Sequence, residues 1–163
     1  MSHALDSESN LDPVHRRAPL ITGPNPAPRL DYRVTLSARL VAGPGPTGDA
    51  TIIVDYVPDR LLLDPTGLSR YMTGLSGLPW PGPEALGVAI LDDINNEIVP
   101  RWVRVTVRTM AGRDGRTGPS TDESTPRPPQ RIAHRVVLED RQPHWNQGAD
   151  AGFGDAPSPM GRG

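Results

Sequence analysis

Cysteine is absent from this chain of 163 residues, and so is lysine, since all 17 basic residues are arginine. Without cysteine the chain cannot form a disulfide, a cysteine metal site or a catalytic thiolate. Without lysine it can supply neither a Schiff base nor the lysine of a phosphate-binding P-loop. These two absences exclude several common enzyme mechanisms before any motif is considered.

Aromatic residues are also scarce, at 4% of the chain. A domain with so few large side chains buries a modest core and is expected to gain stability from partner subunits. The net charge of −2 and the pI near 6.1 do not favour direct binding to nucleic acid. The N-terminus is polar, and no apolar run approaches the roughly 20 residues of a membrane span. We therefore expect a soluble, cytoplasmic protein with no membrane partner.

Proline and glycine are abundant, with 20 and 17 residues respectively. Much of this excess lies outside the middle of the chain. The composition predicts a flexible N-terminal arm over 1–29, a single domain over 30–140 and a disordered tail over 141–163. Within the domain, a run of Gly, Ser, Thr, Pro and charged residues over 111–129 predicts a mobile loop.

Four segments have the pattern of β-strands. In the first of them apolar and polar residues alternate, which is the period of a half-buried strand. The second is rich in β-branched residues and is expected to pair with the first as an antiparallel hairpin. The predicted strands are 31–40, 50–57, 101–110 and 131–140.

Two helices are predicted between the second and third strands. Asp64-Pro65 resembles an N-cap followed by a proline in the first turn, so one helix is expected over 66–75. The other is expected over Pro83–Ile98, where apolar residues recur every four positions. Its polar residues, among them Asp93, are predicted to face solvent. Two helices on one face of a four-stranded antiparallel sheet would give an α+β fold.

The segment over 50–72 reads ATIIVDYVPDRLLLDPTGLSRYM. Its frame resembles the 7-cyano-7-deazaguanine reductase family, in which a tyrosine-proline-aspartate turn precedes a Glu-Ser-Lys-Ser-Leu-Lys-like segment that ends in an aromatic residue. The turn over 56–59, Leu68 and Tyr71 match this motif. The resemblance extends over roughly 30–110. It implies the tunnelling fold (T-fold), whose members build barrels from several subunits and hold a base between neighbours.

The same segment departs from the motif at several positions. Asp64 stands where the motif has its glutamate, and the residues that differ further are Pro65, Thr66, Gly67 and Ser69. Both lysines of the motif are missing. In the family this segment helps to bind the nicotinamide cofactor, so the departures predict that this chain uses no cofactor.

The resemblance also implies a substrate-binding residue. Counted back from Pro100-Arg101, which resembles the Pro-Arg before the family's third strand, Glu84 falls at the glutamate that anchors the guanine-like edge of the base. The histidine that normally precedes it is replaced by Pro83. A carboxylate can accept hydrogen bonds from the ring N–H and the exocyclic amine of such a base, and a helix N-terminus favours its charge. Alternatively, Glu84 is an ordinary acidic residue of a first helical turn.

The family's catalytic positions fall between the first two strands. The position of its nucleophilic cysteine falls near Val41, whose side chain cannot form a thioimide, and its catalytic aspartate falls at Gly48 or Asp49. Asp49 and Asp64 are therefore the candidate proton donors. The alternative for Asp49 is a turn-forming aspartate before a strand.

Four further residues complete the predicted substrate-binding set. The resemblance places Val41 and Leu68 in it. Arg39 could meet an anionic substituent of the base, or it could face solvent as a strand residue. Trp80 could stack on the planar base, or it could pack against a helix as a loop residue.

The third predicted strand carries three basic residues, Arg101, Arg104 and Arg108. They are either the solvated face of a sheet or the lining of a positive tunnel in an oligomer.

Two T-fold relatives, pyruvoyl-tetrahydropterin synthase and GTP cyclohydrolase I, use zinc. The histidines of this chain are His3, His15, His134 and His144, and no two of them have the i,i+4 spacing of helical ligands. Only His134 falls on a predicted strand. A surface or packing role for His134 is favoured over a ligand role, and no metal site is predicted.

The chain keeps the family's base-binding glutamate, at Glu84, but lacks the nucleophilic cysteine. This combination predicts a reaction on a 7-deazaguanine that needs no covalent intermediate. Decarboxylation of 7-carboxy-7-deazaguanine fits this description, because the pyrrole carbon is protonated as CO2 leaves. Hydration of the nitrile of 7-cyano-7-deazaguanine is a second enzymatic alternative. A non-catalytic protein that binds a deazapurine or pterin, or a partner subunit, is the alternative from another class. In each case the fold suggests a homo-oligomer with sites between subunits.

Overall fold

The computed structural model describes residues 12–41, 47–111 and 132–145. A short helix and a short strand come first, and the strands and helices of the domain follow. The helices are α1 (Pro13–Arg17), α2 (Pro65–Ser76) and α3 (Pro83–Ile98), and the strands are β1 (Thr22–Pro24), β2 (Val34–Leu40), β3 (Ala50–Val57), β4 (Leu61–Leu63), β5 (Trp102–Ala111) and β6 (Ile132–Arg141).

The four longer strands form one antiparallel sheet in the order β2-β3-β5-β6. The central strands are β3 and β5, and the edge strands are β2 and β6. The helix α3 packs on β5 and β6, and α2 packs on β2. This arrangement confirms the predicted α+β architecture and the strand and helix order of a T-fold. Within the described part of the chain, no helix has the length and apolar character needed to cross a membrane.

Side-chain alternation along the strands sends one face of the sheet towards the helices. The buried row of β3 consists of Ile52, Val54 and Tyr56, which oppose Val107, Val105 and Val103 of β5. The helix α3 adds the predicted apolar stripe, whose buried members are Leu86, Ile90, Ile94 and Ile98. Each large apolar side chain buried in this way contributes about 1.5–3 kcal/mol. The helix-facing side of the sheet is therefore the core of the protein.

The segment before the sheet differs from the flexible arm predicted over 1–29. From Asp12 onward it forms α1 and β1, and β1 pairs antiparallel with β4, a strand that the sequence did not predict. The amide of Asp64 donates to the carbonyl of Ile21 at 2.8 Å, which extends this pairing. Backbone N–H and C=O groups of this segment are therefore hydrogen-bonded to β4, whereas the proline-rich composition had predicted a flexible segment open to water. The first part of the predicted arm, over 1–11, lies outside the described residues.

Two other predicted irregular segments fall largely outside the described residues. They are the loop predicted over 111–129, apart from the end of β5, and the tail from 146 onward. At the start of the predicted tail, Arg141 still belongs to β6, and the amide of Trp145 then donates to the carbonyl of Gln142 at 3.1 Å in a turn.

A buried ionic contact joins α1, α2 and α3. Asp93 is 0% exposed, which corrects the prediction that it faces solvent. Its carboxylate accepts from both Nε and Nη2 of Arg16, at 2.6 and 2.8 Å, and from the hydroxyl of Tyr71 at 2.6 Å. The hydrogen bond to Asp93 raises the pKa of Arg16, and burial followed by the charge of Asp93 raises the pKa of Tyr71. The contact fixes α1 against the two longer helices.

A second contact links the turn over 56–59 to the Pro100-Arg101 pair. The guanidinium of Arg101 lies 2.5 Å from Oδ1 of Asp31 and 3.3 Å from Oδ1 of Asp59. It also donates to the carbonyl of Pro28, and the amide of Arg101 donates to the carbonyl of Val57 at 2.9 Å. Arg101 therefore joins the turn after β3 to the chain that leads into β2.

Two glycines of α2 provide a matched test of how this helix packs. A Cβ on Gly67 would lie 2.6 Å from the backbone nitrogen of Ile21, whereas a Cβ on Gly74 would meet nothing within 4 Å. We expect Gly74→Ala to raise the free energy of unfolding by about 0.5–1 kcal/mol, because alanine favours the helix. Gly67→Ala is expected to lower it, since backbone must move. Urea unfolding of both variants checks this, and stabilisation by both would show that α2 does not pack closely on the segment before β1.

Removal of the Asp93 carboxylate is expected to be costly. Asp93→Asn leaves the buried guanidinium of Arg16 without its counter-charge, so the free energy of unfolding should fall by about 3 kcal/mol or more. The control is Glu97→Gln on the same helix, whose contact with Nε of Arg17 at 2.9 Å is more exposed. That change should cost at most about 1 kcal/mol. Equal losses in thermal unfolding would contradict the buried contact.

Candidate functional site

Four strand ends meet at one end of the sheet, where Leu40, Ala50, Thr109 and His134 lie opposite one another in sheet order. A cavity of about 620 Å³ opens there, which we call the strand-end pocket. Its lining comes from β2, β3, β5, β6 and the turn before β3. The charged and titratable residues of that lining are Arg39, Asp49, Arg108, His134 and Arg135.

Glu84 lies in the first turn of α3, as predicted. It does not itself line the strand-end pocket, but its carboxylate contacts His134, which does. Its Oε1 is 2.9 Å from Nε2 of His134 on β6. The Glu84 side chain is 60% exposed and that of His134 is 44% exposed, so both remain accessible. Because a carboxylate has several acceptor positions, this contact leaves room for a ligand that donates two hydrogen bonds. The pair is therefore a candidate ligand-binding contact.

The contact with His134 was not predicted from the sequence. His134 was assigned a surface or packing role, and its separation of 50 positions from Glu84 conceals their proximity. The strand period carried a usable signal, because His134 lies on the same side of the sheet as Val136, which packs on the core, and Leu138, which approaches Gly87 of α3. That alternation would have directed its imidazole to the helix-facing side.

Asp49 and Arg39 both line the strand-end pocket. Asp49 is exposed and immediately precedes β3, and Arg39 is exposed on β2 opposite Thr51. Gly48 has a φ of 65°, a left-handed conformation that favours glycine. Gly48 and Asp49 were the two positions considered for the family's aspartate, and only Asp49 has a carboxylate. The structure places Asp49 in the same cavity as Arg39.

Val41 and Leu68 lie in a second cavity, a groove of about 480 Å³ between β2 and α2. Val41 is 67% exposed just after β2, whereas Leu68 is 4% exposed on α2. Arg39 lines this groove as well as the strand-end pocket. The predicted substrate-binding residues are thus divided between two adjacent cavities that share Arg39.

Trp80 lines neither the groove nor the strand-end pocket. Its side chain belongs to the core and the residue is 7% exposed, with Nε1 donating to the carbonyl of Leu75 at 2.9 Å. The hydroxyl of Thr47 donates to the carbonyl of Trp80 at 3.2 Å. Of its two predicted roles, packing agrees with this position, because the ring has almost no exposed face on which a base could stack.

Asp64 caps α2 and lines neither cavity. Its Oδ1 accepts from the amide of Gly67 at 2.9 Å, and its carbonyl accepts from the amide of Leu68 at 3.0 Å. These are the hydrogen bonds of an N-cap residue, which satisfy amides that have no partner within the helix. The structure therefore separates the two candidate acids, with Asp49 in the strand-end pocket and Asp64 at a helix cap.

The segment that resembles the family's cofactor-binding motif does not present the donors that a nicotinamide dinucleotide phosphate needs. Tyr71 is buried against Asp93, and Gly67 lies against Ile21. Among the described residues that line the groove beside this segment, Arg39 is the only charged one. Several phosphate charges require more than one cationic partner, so the described lining of the groove does not by itself fit this cofactor. Nor do any three His, Asp or Glu residues of the described ranges come together as a metal site.

The chain resembles known proteins of one family. No protein-family model matches it. It is 31% identical over 130 residues to the NADPH-dependent 7-cyano-7-deazaguanine reductase of Alkalilimnicola ehrlichii, and the alignment covers 77% of this chain and 87% of that protein. Among solved structures, the apo crystal structure of the archaeosine synthase QueF-Like matches with a TM-score of 0.42 and 17% identity, covering 66% of this chain and 90% of that one.

Two substitutions of Asp64 separate its cap from any chemical role. Asp64→Ala removes the acceptor for Gly67, so the free energy of unfolding should fall by about 1 kcal/mol. Asp64→Asn keeps an acceptor and should change stability little, although it removes the carboxyl group. Urea unfolding measures both, and equal stability of the Ala variant and the unaltered protein would contradict the cap.

Proposed function

The chain belongs to the 7-cyano-7-deazaguanine reductase family, and we propose that it binds a 7-deazaguanine base at the strand-end pocket and converts it without a thioimide or a hydride. The observation that carries this proposal is the accessible carboxylate of Glu84, at the start of α3 and 2.9 Å from His134. The relative is named for action on a 7-deazaguanine, and the proposal transfers that base class, and not the reaction, to this chain.

The geometry around Glu84 supports base recognition. The carboxylate has the positive end of α3 behind it, which stabilises its charge. An N–H and an exocyclic amine on the same edge of a base can donate to its two oxygens. In this chain Pro83 precedes Glu84, and the neighbouring imidazole comes instead from His134 on β6. His134 can orient the carboxylate or approach a polar atom of the same base.

The reaction that the resemblance implies uses a cysteine nucleophile, which this chain lacks. There is no cysteine anywhere in the sequence, so no thiolate can add to the nitrile of 7-cyano-7-deazaguanine. Val41, near the position of the nucleophile in the resemblance, has an unreactive side chain. The described lining of the groove offers the phosphates of NADPH one cation, Arg39, so the groove by itself gives no support to hydride transfer.

We propose decarboxylation of 7-carboxy-7-deazaguanine as the reaction. In this step the bond between C7 and the carboxylate breaks, its electron pair stays on C7, a proton joins C7 and CO2 leaves. Asp49 is the proposed proton donor, and Arg39 is proposed to orient the carboxylate before it leaves. Their presence in one cavity supports this assignment. Asp64, which serves as a helix cap, is the less suitable donor.

We further propose that the protein is a homo-oligomer whose neighbours complete the site. Among the described residues, no strand pairs with the outer edge of β2 or of β6. Exposed apolar residues lie along or next to these edges, at Val41 (67%), Ile132 (67%) and Val137 (45%). An exposed edge of this kind favours pairing with another chain. The groove lies on the β2 edge, so a neighbouring subunit there would cover Val41 and Arg39.

Incubation with the carboxy, cyano and aminomethyl forms of 7-deazaguanine, each with and without NADPH, tests the reaction. Mass spectrometry of the products should show that the carboxy form loses CO2 and that NADPH has no effect. Asp49→Asn should slow this loss by about 100-fold or more, the range that a positioned proton donor contributes. NADPH-dependent reduction of the cyano form would contradict the proposal.

The binding step has its own test. Glu84→Gln should weaken binding of the base about tenfold or more, since it removes the charged acceptor of two hydrogen bonds. Asp92→Asn is the matched control, because Asp92 is an exposed acidic residue of the same helix. Tight binding that Glu84→Gln abolishes, without turnover of any form, would indicate the non-catalytic protein instead. No binding of any of these bases would exclude both functions.

A further inference from the structure

A row of three arginines crosses the face of the sheet that points away from the helices. In the register of the strands, Arg39 opposes Thr51, Thr51 opposes Arg108, and Arg108 opposes Arg135. We call these four residues the arginine row. They alternate with residues of the helix-facing side, and all three arginines are exposed. Every member of the row also lines the strand-end pocket.

A second row on the same face shows how this sheet balances its charges elsewhere. This second row crosses β3 at Asp55, four positions beyond Thr51. In it Thr35 opposes Asp55, Asp55 opposes Arg104, and Arg104 opposes Glu139. There Nε of Arg104 donates to Glu139 at 2.6 Å, and Nε of Arg33 donates to Asp55 at 3.0 Å. Each arginine of that row or next to it therefore has a carboxylate partner within the sheet.

The arginine row contains no carboxylate. Asp49 is the one acidic residue among the described residues that line the strand-end pocket, against three guanidinium groups. Like charges on directly opposed residues, such as Arg108 and Arg135, destabilise a sheet. Arg135 and Asp49 each have an interaction of their own, so the excess of positive charge rests chiefly on Arg39 and Arg108. A bound anion would offset it.

The geometry points to an anion with more than one charged group. Arg39 and Arg108 lie two strands apart, which is a separation of about 10 Å between their backbones. Thr51 lies between them and offers a hydroxyl donor. Guanidinium groups match the oxygens of phosphate with paired hydrogen bonds. A compound with two linked phosphate groups can reach both arginines, which a single small carboxylate cannot do as well.

We propose that the arginine row is a binding site for a polyphosphate group, free or as part of a nucleotide. The arginine row differs from the proposed base contact, because Glu84 meets His134 on the helix-facing side of the sheet, whereas the row lies on the other face. The two proposals share Arg39, which is also proposed to orient the carboxylate of the base, and both place a ligand at the strand-end pocket. Arg108 has no part in the proposed base conversion, so its substitution tests the polyphosphate site alone.

Isothermal titration with inorganic pyrophosphate at low ionic strength tests the site. Arg108→Gln should weaken binding roughly tenfold, because it removes a charge-assisted contact. Arg70→Gln should leave binding unchanged, since Arg70 is an exposed residue of α2 that lines neither cavity and its loss changes the net charge equally. Asp49→Asn should strengthen binding, because it removes the opposing charge from the pocket.

Three further ligands identify the source of the phosphate. Tighter binding of inorganic pyrophosphate than of AMP would indicate a free polyphosphate, and tighter binding of ADP than of either would indicate a nucleotide. A single-stranded oligonucleotide that binds when none of these small anions does would overturn the proposal in favour of a nucleic-acid surface. Absence of pyrophosphate binding, or equal losses in Arg108→Gln and Arg70→Gln, would also overturn it. Glu84→Gln should not change pyrophosphate binding, so failure of the base site is distinguishable from failure of this one.

Discussion

The register of the antiparallel sheet is the constraint on which the rest of this structure depends. Successive side chains of a strand point to opposite faces, so a slip of one residue would exchange the two faces of β3. The core row of Ile52, Val54 and Tyr56 would then face away from the helices, and the buried carboxylate of Asp55 would enter the apolar core. Burial of the apolar row therefore fixes the register. The positions of Arg39, Arg108 and His134 at the strand-end pocket follow from it.

The helices are held against this sheet by contacts between segments that are distant in sequence. Asp93 joins α3 to Arg16 of α1 and to Tyr71 of α2, and Gly67 allows α2 to approach Ile21 closely. Such a buried charge is stable only when its partners satisfy it. The N-terminal segment is consequently part of the domain and not an appendage, because it supplies the cation.

The sequence was sufficient for the elements whose apolar period is regular. The strand β3 and the helix α3 have the predicted bounds, since their periods of two and 3.6 residues are local properties. The pairing of β1 with β4 was missed because both strands have three residues, too few to show a period. The burial of Asp93 was missed because it depends on a cation 77 residues away. The same reason applies at the candidate site, where the resemblance indicated Glu84 but no local pattern placed His134 beside it.

The two faces of the sheet present different chemical groups near the strand-end pocket. On the helix-facing side a carboxylate, Glu84, suits the donor edge of a base, and on the other face guanidinium groups suit an anion. A thiolate would have needed a nucleophile between β2 and β3, and the sequence offers only Val41 near the position that the resemblance indicates. In the proposed function, recognition of a base is therefore kept without covalent attack. The proposed decarboxylation needs an oriented carboxylate and one proton, which are the roles that the proposal gives to Arg39 and Asp49.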